Sequence, residues 1–161
     1  MEFIWSPWRY DYMASEGSRD EPRPCVFCIG EDQTQDDARL VLYRGTQNFI
    51  ILNLFPYTSG HLMIAPYAHL RSVVDASREQ TCEMMDLAKR AITALSHVYG
   101  PEGFNIGMNL GHVAGAGVRD HFHLHVVPRW AGDSNFMTIT GETRVLPEEL
   151  TTTYRRLKAV L

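Results

Sequence analysis

Three histidines alternate with apolar residues in the segment HFHLHVVP, residues 121–128. If the segment is extended, successive side chains point to opposite faces, so the imidazoles of His121, His123 and His125 share one face. The other face then carries only apolar side chains, those of Phe122, Leu124 and Val126. We therefore predict a strand whose even positions enter the core and whose odd positions present three imidazoles to a site.

Imidazole chemistry suits such a site. The reference pKa of histidine is about 6.5, so near neutral pH the ring offers an uncharged nitrogen that can attack phosphorus or bind a metal. Neighbouring imidazoles also resist being protonated together. The pattern alone fits a nucleophilic site, a catalytic metal site with an open water position, or a strand whose polar face happens to be histidine. Periodicity does not separate these interpretations.

Length and composition indicate one globular domain. The 161 residues, 45% of them hydrophobic, are enough to bury a core. The net charge of −4 gives no overall field that would attract nucleic acid. The longest apolar runs, 49–52 and 62–65, are far shorter than the roughly 20 residues of a membrane helix. Because no signal-peptide pattern opens the chain, we expect a cytoplasmic protein without membrane or nucleic-acid partners.

The apolar pattern predicts an α+β fold. Strand signals, most of them consecutive and therefore suited to antiparallel pairing, lie at 39–44, 47–53, 61–65, 104–109 and 121–127. Residues 1–24 contain a polar, proline-bearing stretch that predicts an irregular N-terminal arm. Residues 25–161 are predicted to form a single domain.

Two helices are predicted. Ser77 and Gln80 form a capping box before the longer one, which Gly100 ends. Its apolar stripe consists of Met84, Leu87, Ala88, Ala91, Leu95 and Val98. The shorter one, from 147 to about 160, carries on one side Leu150, Tyr154 and Leu157. We expect Cys82, within the longer helix, to be a small buried residue.

The residues around the three histidines resemble the histidine triad family of nucleotide hydrolases and transferases. The family motif His-φ-His-φ-His-φ-φ, with φ apolar, is complete here, and Pro128 and Arg129 continue it. The resemblance covers roughly residues 20–145 and includes the segments 53–61 (NLFPYTSGH), 65–69 (APYAH) and 105–111 (NIGMNLG). The bacterial branch related to fragile histidine triad hydrolases and diadenosine tetraphosphate phosphorylases is similar at two segments, 5–10 (WSPWRY) and 127–136 (VPRWAGDSNF).

The resemblance implies a five-stranded antiparallel sheet, a two-fold homodimer and no organic cofactor. It also implies an enzyme that cleaves AMP from a dinucleoside polyphosphate, such as diadenosine tetraphosphate or triphosphate. Cleavage would be by hydrolysis or phosphorolysis through a nucleotidyl-histidine intermediate. Two alternatives stay open: an adenosine phosphoramidase, and a nucleotide-binding interaction module without turnover.

Residue roles follow from the same resemblance. His123 is the nucleophile and His125 contacts the transferred phosphoryl group. Asn53 binds ribose hydroxyls, and Ile51, two positions earlier, faces the base. A turn residue before Pro56 is the other interpretation of Asn53.

The glycine-rich run 111–117 (GHVAGAG) precedes the triad and matches the family's phosphate-binding loop. Asn109 matches a polar contact residue of that loop. Better-known members have Gln or Ser where this chain has Gly117, so His112, Arg119 or backbone amides are the candidate replacements. A long hairpin connection is the simpler interpretation of the run.

A zinc-binding set is also implied. Cys25 and Cys28 form a Cys-x-x-Cys pair that, with His69 and His121, resembles the site of zinc-bearing bacterial triad proteins. Four nitrogen and sulfur ligands close a tetrahedron, so this zinc is structural and has no open position for water. There are two alternatives: reduced thiols without metal, and a redox-active Cys-x-x-Cys pair. A redox-active pair of the thioredoxin type lies near a βαβ pattern, which is missing from the predicted elements.

Overall fold

The computed structural model describes residues 24–133 and 148–161. Its five strands form one antiparallel sheet in the spatial order β1-β2-β3-β5-β4. The strands are β1 (Val41–Arg44), β2 (Asn48–Leu52), β3 (Leu62–Pro66), β4 (Gly103–Met108) and β5 (Leu124–Arg129). The predicted α+β fold with a five-stranded antiparallel sheet is confirmed. The predicted arm lies outside the described residues except for its last residue, Pro24.

The helices are α1 (Asp36–Arg39), α2 (Arg78–Tyr99) and α3 (Leu150–Lys158). Single 3₁₀ turns cover Gln33–Gln35, Val73–Asp75 and His112–Ala114. Across the described ranges no helix is both long and apolar enough to cross a membrane.

The long helix is confirmed. Ser77 and Gln80 form the predicted capping box, and Gly100 ends α2 in the left-handed conformation, with φ of 54°. The prediction for Cys82 is wrong, because its side chain is exposed. Cys82 lies two positions before Met84, which at 100° per residue places it on the far side of the helix from the apolar stripe.

The sheet has an apolar layer on each face. One face packs against the stripe of α2 and against Tyr154 and Leu157 of α3. The other face is covered by the segment after residue 24, whose Phe27 and Ile29 pack against the other side of β1, β2 and β3. The sheet separates these two layers.

The triad strand begins later than predicted. The β3–β5 ladder begins at Leu124, whereas the Phe122 amide donates to the carbonyl of Leu70, outside the sheet. His121 and His123 therefore lie in the segment that leads into β5. The predicted alternation holds nevertheless, because the three apolar side chains enter the layer under the helices: Phe122, Leu124 and Val126.

The turn between β1 and β2 is closed by a carboxylate from α2. Glu83 accepts hydrogen bonds of 2.6–2.8 Å from the amides of Thr46, Gln47 and Asn48 and from the Asn48 side chain. Burial alone would raise the pKa of Glu83, but these donors outweigh burial and lower it. The hairpin is therefore held to the helix by one ionised group.

Replacement of this carboxylate should destabilise the protein. We expect Glu83→Gln to lower the free energy of unfolding by about 2 kcal/mol at neutral pH, because hydrogen bonds to a charged acceptor are lost. The carboxyl is easier to ionise in the folded state, so its contribution is complete above its unfolded pKa and is lost as pH falls through the lower folded pKa. The difference in free energy of unfolding between wild type and variant, measured by urea denaturation, should therefore become smaller at acid pH.

The matched control is Asp86→Asn, which removes the same charge from an exposed position on the same helix. Its effect should stay below about 0.5 kcal/mol. Equal stability of Glu83→Gln and wild type at neutral pH would contradict the proposed anchoring.

Candidate functional site

A row of residues crosses the face of the sheet that lies opposite the helices. The strand register aligns Ile51 of β2, Met63 of β3, His125 of β5 and Gly107 of β4. A cavity of about 960 Å³ opens above this row, at the upper end of the range for small-molecule sites, roughly 300–1,000 Å³. Its walls include every predicted nucleotide-site residue: Ile51, Asn53, Asn109, Gly117, His123 and His125.

His123 has a defined tautomer. Its Nδ1 lies 3.0 Å from the carbonyl oxygen of His121. A carbonyl can only accept, so Nδ1 carries the proton and Nε2 keeps a lone pair. Burial lowers the pKa of His123, which keeps the ring neutral. The residue is only 4% exposed, yet it lines the cavity, so a neutral nucleophilic nitrogen is available at its wall.

His61, the last residue of the segment 53–61, adds a fourth imidazole to the site. The Tyr57 amide donates to its Nδ1 at 3.1 Å, and its Nε2 lies 2.9 Å from Nδ1 of His125. Because Nδ1 accepts, Nε2 of His61 carries the proton and donates it to His125. His61 lies two residues before Met63 and thus on the His125 face, but this proximity follows only from the β3–β5 pairing.

The two rings carry their protons on different nitrogens, His123 on Nδ1 and His125 on Nε2. Nδ1 of His125 accepts from His61, so Nε2 of the same ring carries the proton. That Nε2 is buried and has no hydrogen-bond partner among the described residues. Burial, and next the neighbouring His123, lower the pKa of His125 to about 4; burial and then His125 lower that of His61 to about 3. Both rings are neutral at physiological pH, and His125 can donate a hydrogen bond.

Asn53 makes a turn contact and also lies at the cavity wall. Its Oδ1 accepts from the Phe55 amide at 2.9 Å, which is the predicted turn contact before Pro56. Its Nδ2 lies 3.2 Å from Nδ1 of His61. Asn53 also lines the cavity, where the ribose role was predicted.

The glycine-rich loop contributes to the cavity wall through Gly115 and Gly117. The amide of Gly115 donates to the carbonyl of His112, and that of Ala116 donates to Gly111, so these two amides are used within the loop. His112 itself is exposed and lies outside the cavity lining, as does Arg119. Neither side chain is therefore placed to take over from the Gln or Ser that better-known members have where this chain has Gly117.

The four predicted metal ligands come together beside the triad. One ligand atom from each of Cys25, Cys28, His69 and His121 lies within 4.8 Å of the others. Nδ1 of His121 is 3.4 Å from the Cys25 sulfur, and Nδ1 of His69 is 3.3 Å from the Cys28 sulfur. Tetrahedral zinc bonds of about 2.0–2.3 Å put neighbouring ligand atoms about 3.3–3.8 Å apart. The cluster therefore fits a four-coordinate metal ion.

The protonation states of the His121 ring and of the two thiols also fit a bound metal ion. His121 Nε2 donates to the Pro66 carbonyl at 2.8 Å, which leaves the Nδ1 lone pair facing the sulfurs. Burial, and next the neighbouring Cys25, raise the pKa of the Cys28 thiol. Two adjacent thiolates thus need a cation to be stable together.

The cluster and His123 share a contact. Cys25 and Cys28 end one turn, in which the Cys28 amide donates to the Cys25 carbonyl at 3.1 Å. Phe27, inside that turn, packs with its ring centroid 4.6 Å from that of His123 and 5.4 Å from that of His121. The turn that carries both sulfurs therefore also packs against the His123 ring.

Comparison with known proteins identifies the family. A model of the HIT domain matches residues 34–132. The AP-4-A phosphorylase of Mycobacterium tuberculosis is 38% identical over 161 residues, which is 98% of this chain and 83% of that protein. The adenosine 5'-monophosphoramidase of Schizosaccharomyces pombe is 28% identical over 105 residues, which is 65% of this chain and 74% of that protein.

The fold is likewise similar to solved structures. A Zn-bound histidine triad family protein from Mycobacterium smegmatis superposes with a TM-score of 0.65 at 28% identity, covering 84% of this chain and 91% of that one. The resemblance inferred from the triad is confirmed, as is the prediction of an enzyme in this class of nucleotide hydrolases and transferases. The chain belongs to the HIT domain family.

Proposed function

We propose that this chain cleaves AMP from a dinucleoside polyphosphate, such as diadenosine tetraphosphate or triphosphate, through a nucleotidyl-His123 intermediate. The observation that carries the proposal is that two imidazoles on one cavity wall offer different groups, one a hydrogen-bond acceptor and the other a donor. His123 offers an Nε2 lone pair, and His125 offers an Nε2–H. Their ring centroids are 4.7 Å apart, so both can reach one phosphoryl group.

In the first step Nε2 of His123 attacks the α-phosphorus. A phosphorus–nitrogen bond forms, and the bond from phosphorus to the bridging oxygen breaks and gives its electron pair to the leaving polyphosphate. His125 donates a hydrogen bond to this oxygen as its negative charge develops. The His123 ring becomes positive, and its Nδ1–H bond to the His121 carbonyl stabilises that charge.

In the second step an acceptor attacks the same phosphorus and releases neutral His123. Water gives AMP and one released proton, whereas inorganic phosphate gives ADP. Similarity to a relative named AP-4-A phosphorylase along 98% of the chain supports phosphate as the acceptor. Similarity to a phosphoramidase supports AMP linked to an amine as the second candidate substrate.

The remaining walls suit the other parts of an AMP-bearing substrate. Phe27, Leu40 and Ile51 form an apolar region that can receive the base. Asn53 borders this region and is proposed to contact ribose, while Asn109 and Gly117 lie on the loop side and are proposed to contact phosphate. The homodimer and the cytoplasmic location stay predictions.

We further propose that the four-ligand cluster holds a structural zinc ion. Cys25 and Cys28 would supply thiolates, and His69 and His121 would supply Nδ1. A bound ion supplies a cross-link between the N-terminal segment and the residues that lead into β5. The Zn-bound relative from Mycobacterium smegmatis supports this assignment.

Loss of the His123 imidazole should abolish turnover. With diadenosine tetraphosphate we expect His123→Gly to lower kcat by on the order of 10⁴-fold or more, because the attacking nitrogen is removed. Mass spectrometry of the products, with and without phosphate, gives the acceptor: ADP and ATP indicate phosphorolysis, whereas AMP and ATP indicate hydrolysis. Intact-protein mass should show an adenylyl adduct in rapidly quenched wild type only.

The matched control is His97→Gly, at an exposed position near the end of α2. The folded fraction of this variant should have the kcat of wild type. Substantial turnover by His123→Gly would contradict covalent catalysis. If wild type cleaves only AMP linked to an amine, the phosphoramidase assignment replaces the polyphosphate one. Absence of turnover with any adenylyl donor would favour a binding module.

Metal content tests the zinc assignment. Protein purified without chelator should contain about one zinc per chain, and Cys25→Ser should lose it because a thiolate ligand is removed. We expect the melting temperature of Cys25→Ser to fall by about 5–10 °C, the shift for a loss of about 2–3 kcal/mol. Cys82→Ser changes the exposed third cysteine and should keep both the zinc and the melting temperature. A metal-free wild type would exclude the proposed site.

A further inference from the structure

The cavity continues beyond His125 to Arg129, near the end of the same strand. Val127 and Arg129 follow His125 at alternate positions of β5, so their side chains share its face of the sheet, and both line the cavity. Ile51, in the apolar region proposed for the base, lies on the other side of His125, across β3. A nucleotide with its base at Ile51 and its α-phosphate at His125 therefore has the space for further phosphates on the side of Arg129.

The Arg129 side chain is directed back toward His125. Its Nη1 donates to Oδ1 of Asn105 at 2.6 Å. Asn105 lies on β4, where it is paired with Val127, the position between Arg129 and His125 on this face of the sheet. The guanidinium thus contacts a residue that is one alternate position nearer to the two imidazoles of the site than the Arg129 backbone is.

Asp133 holds the other side of the guanidinium. Nε and Nη2 of Arg129 donate to the two carboxylate oxygens of Asp133, at 2.5 and 2.8 Å. A guanidinium has five N–H donors, so these two bonds and the bond to Asn105 use three of them. The other two, one on each Nη, have no partner within residues 24–133 and 148–161. Because the side chain is 42% exposed, these donors are available to a ligand.

The charged groups at the cavity wall favour an anion at this end. Among the described residues the lining includes two arginines, Arg39 and Arg129, and no aspartate or glutamate. Arg39 adjoins Leu40 in the apolar region, and its guanidinium donates to the carbonyl of Ile29 at 2.7 Å. The Asp133 carboxylate lies outside the cavity lining, so it orients Arg129 without facing the ligand. Arg129 therefore supplies the positive charge on the side of the leaving group.

We propose that Arg129 binds the phosphates beyond the scissile bond and thereby makes the site selective for AMP joined to a polyphosphate. This inference rests on the proposed function, because it assumes that the α-phosphate lies at His123 and His125. The leaving polyphosphate gains negative charge when its bond to the α-phosphorus breaks, so a guanidinium beside it stabilises the transition state as well as the bound substrate. In a chain with Gly117 where better-known members have Gln or Ser, Arg129 is the side chain that takes this charge.

Nucleotide binding without turnover tests the proposal. Isothermal titration calorimetry compares AMP with α,β-methylene ATP, whose α–β bridge is not cleaved. Wild type should bind this analogue more tightly than AMP. Arg129→Gln should weaken binding of the analogue by about 10- to 100-fold, the effect of losing hydrogen bonds from a charged donor, and should leave the affinity for AMP unchanged. Arg129→Lys keeps the charge but not the planar fork, so it should recover part of the loss.

Two control variants separate phosphate binding from a structural role of the ion pair. Asp133→Asn removes the anion that partly neutralises Arg129, so the affinity for the analogue should stay the same or rise. If the pair served only to hold the turn at 130–133, this variant would lose as much affinity as Arg129→Gln. Arg155→Gln removes a positive charge from an exposed position on α3, on the opposite side of the sheet, and should bind both nucleotides like wild type.

Turnover gives an independent measurement. For diadenosine tetraphosphate, kcat/KM of Arg129→Gln should fall by about 10- to 100-fold. For adenosine 5′-phosphoramidate, which has no phosphate beyond the α-phosphate, kcat/KM should not change. Circular dichroism checks that each variant is folded.

Four results would overturn the inference: equal losses of Arg129→Gln for the two substrates, wild-type affinity of Arg129→Gln for the analogue, the same loss in Asp133→Asn, or a wild type without preference for the analogue over AMP. Because calorimetry needs no turnover, it decides the role of Arg129 even if wild type cleaves no dinucleoside polyphosphate. Failure of the proposed function and failure of this inference are thereby distinguished.

Discussion

Three interactions of His121 connect the parts of this molecule. Its Nε2 donates to the carbonyl of Pro66 at the end of β3, and its Nδ1 faces the sulfurs of Cys25 and Cys28. Its own carbonyl accepts from Nδ1 of His123. The junction of β3 with β5, the cluster of proposed metal ligands and the tautomer of His123 therefore all depend on the placement of one fully buried residue.

Much of the fold could be predicted because the relevant signals are local. Alternation of apolar residues indicated which positions of the triad segment enter the core, and the capping box gave the start of α2. Local patterns do not define where a ladder begins: Phe122 bonds to Leu70 outside the sheet, so β5 starts at Leu124. The prediction for Cys82 was wrong because it rested on residue type; the predicted apolar stripe, which includes Met84 two positions later, already places Cys82 on the other side of the helix.

The candidate site was predictable only in part, since its chemistry depends on contacts between distant segments. His61 and His125 are 64 positions apart and meet through strand pairing, which no spacing in the sequence reveals. The four proposed metal ligands were assigned by family resemblance rather than by geometry. Tautomers were not accessible at all, because each depends on whether a backbone carbonyl or amide lies beside the ring, as with His123 and His61.

The carboxylate of Glu83 has a consequence for how the structure opens. It joins the amides of 46–48 to the first turns of α2. The strand β2 begins at Asn48 and ends at Leu52, which lines the cavity. Breaking this contact releases the hairpin and the helix start together, so hydrogen exchange in both segments should proceed through one cooperative sub-global fluctuation. The local stability of β2, which forms part of the cavity wall, is thereby coupled to that of α2, which lies on the opposite face of the sheet.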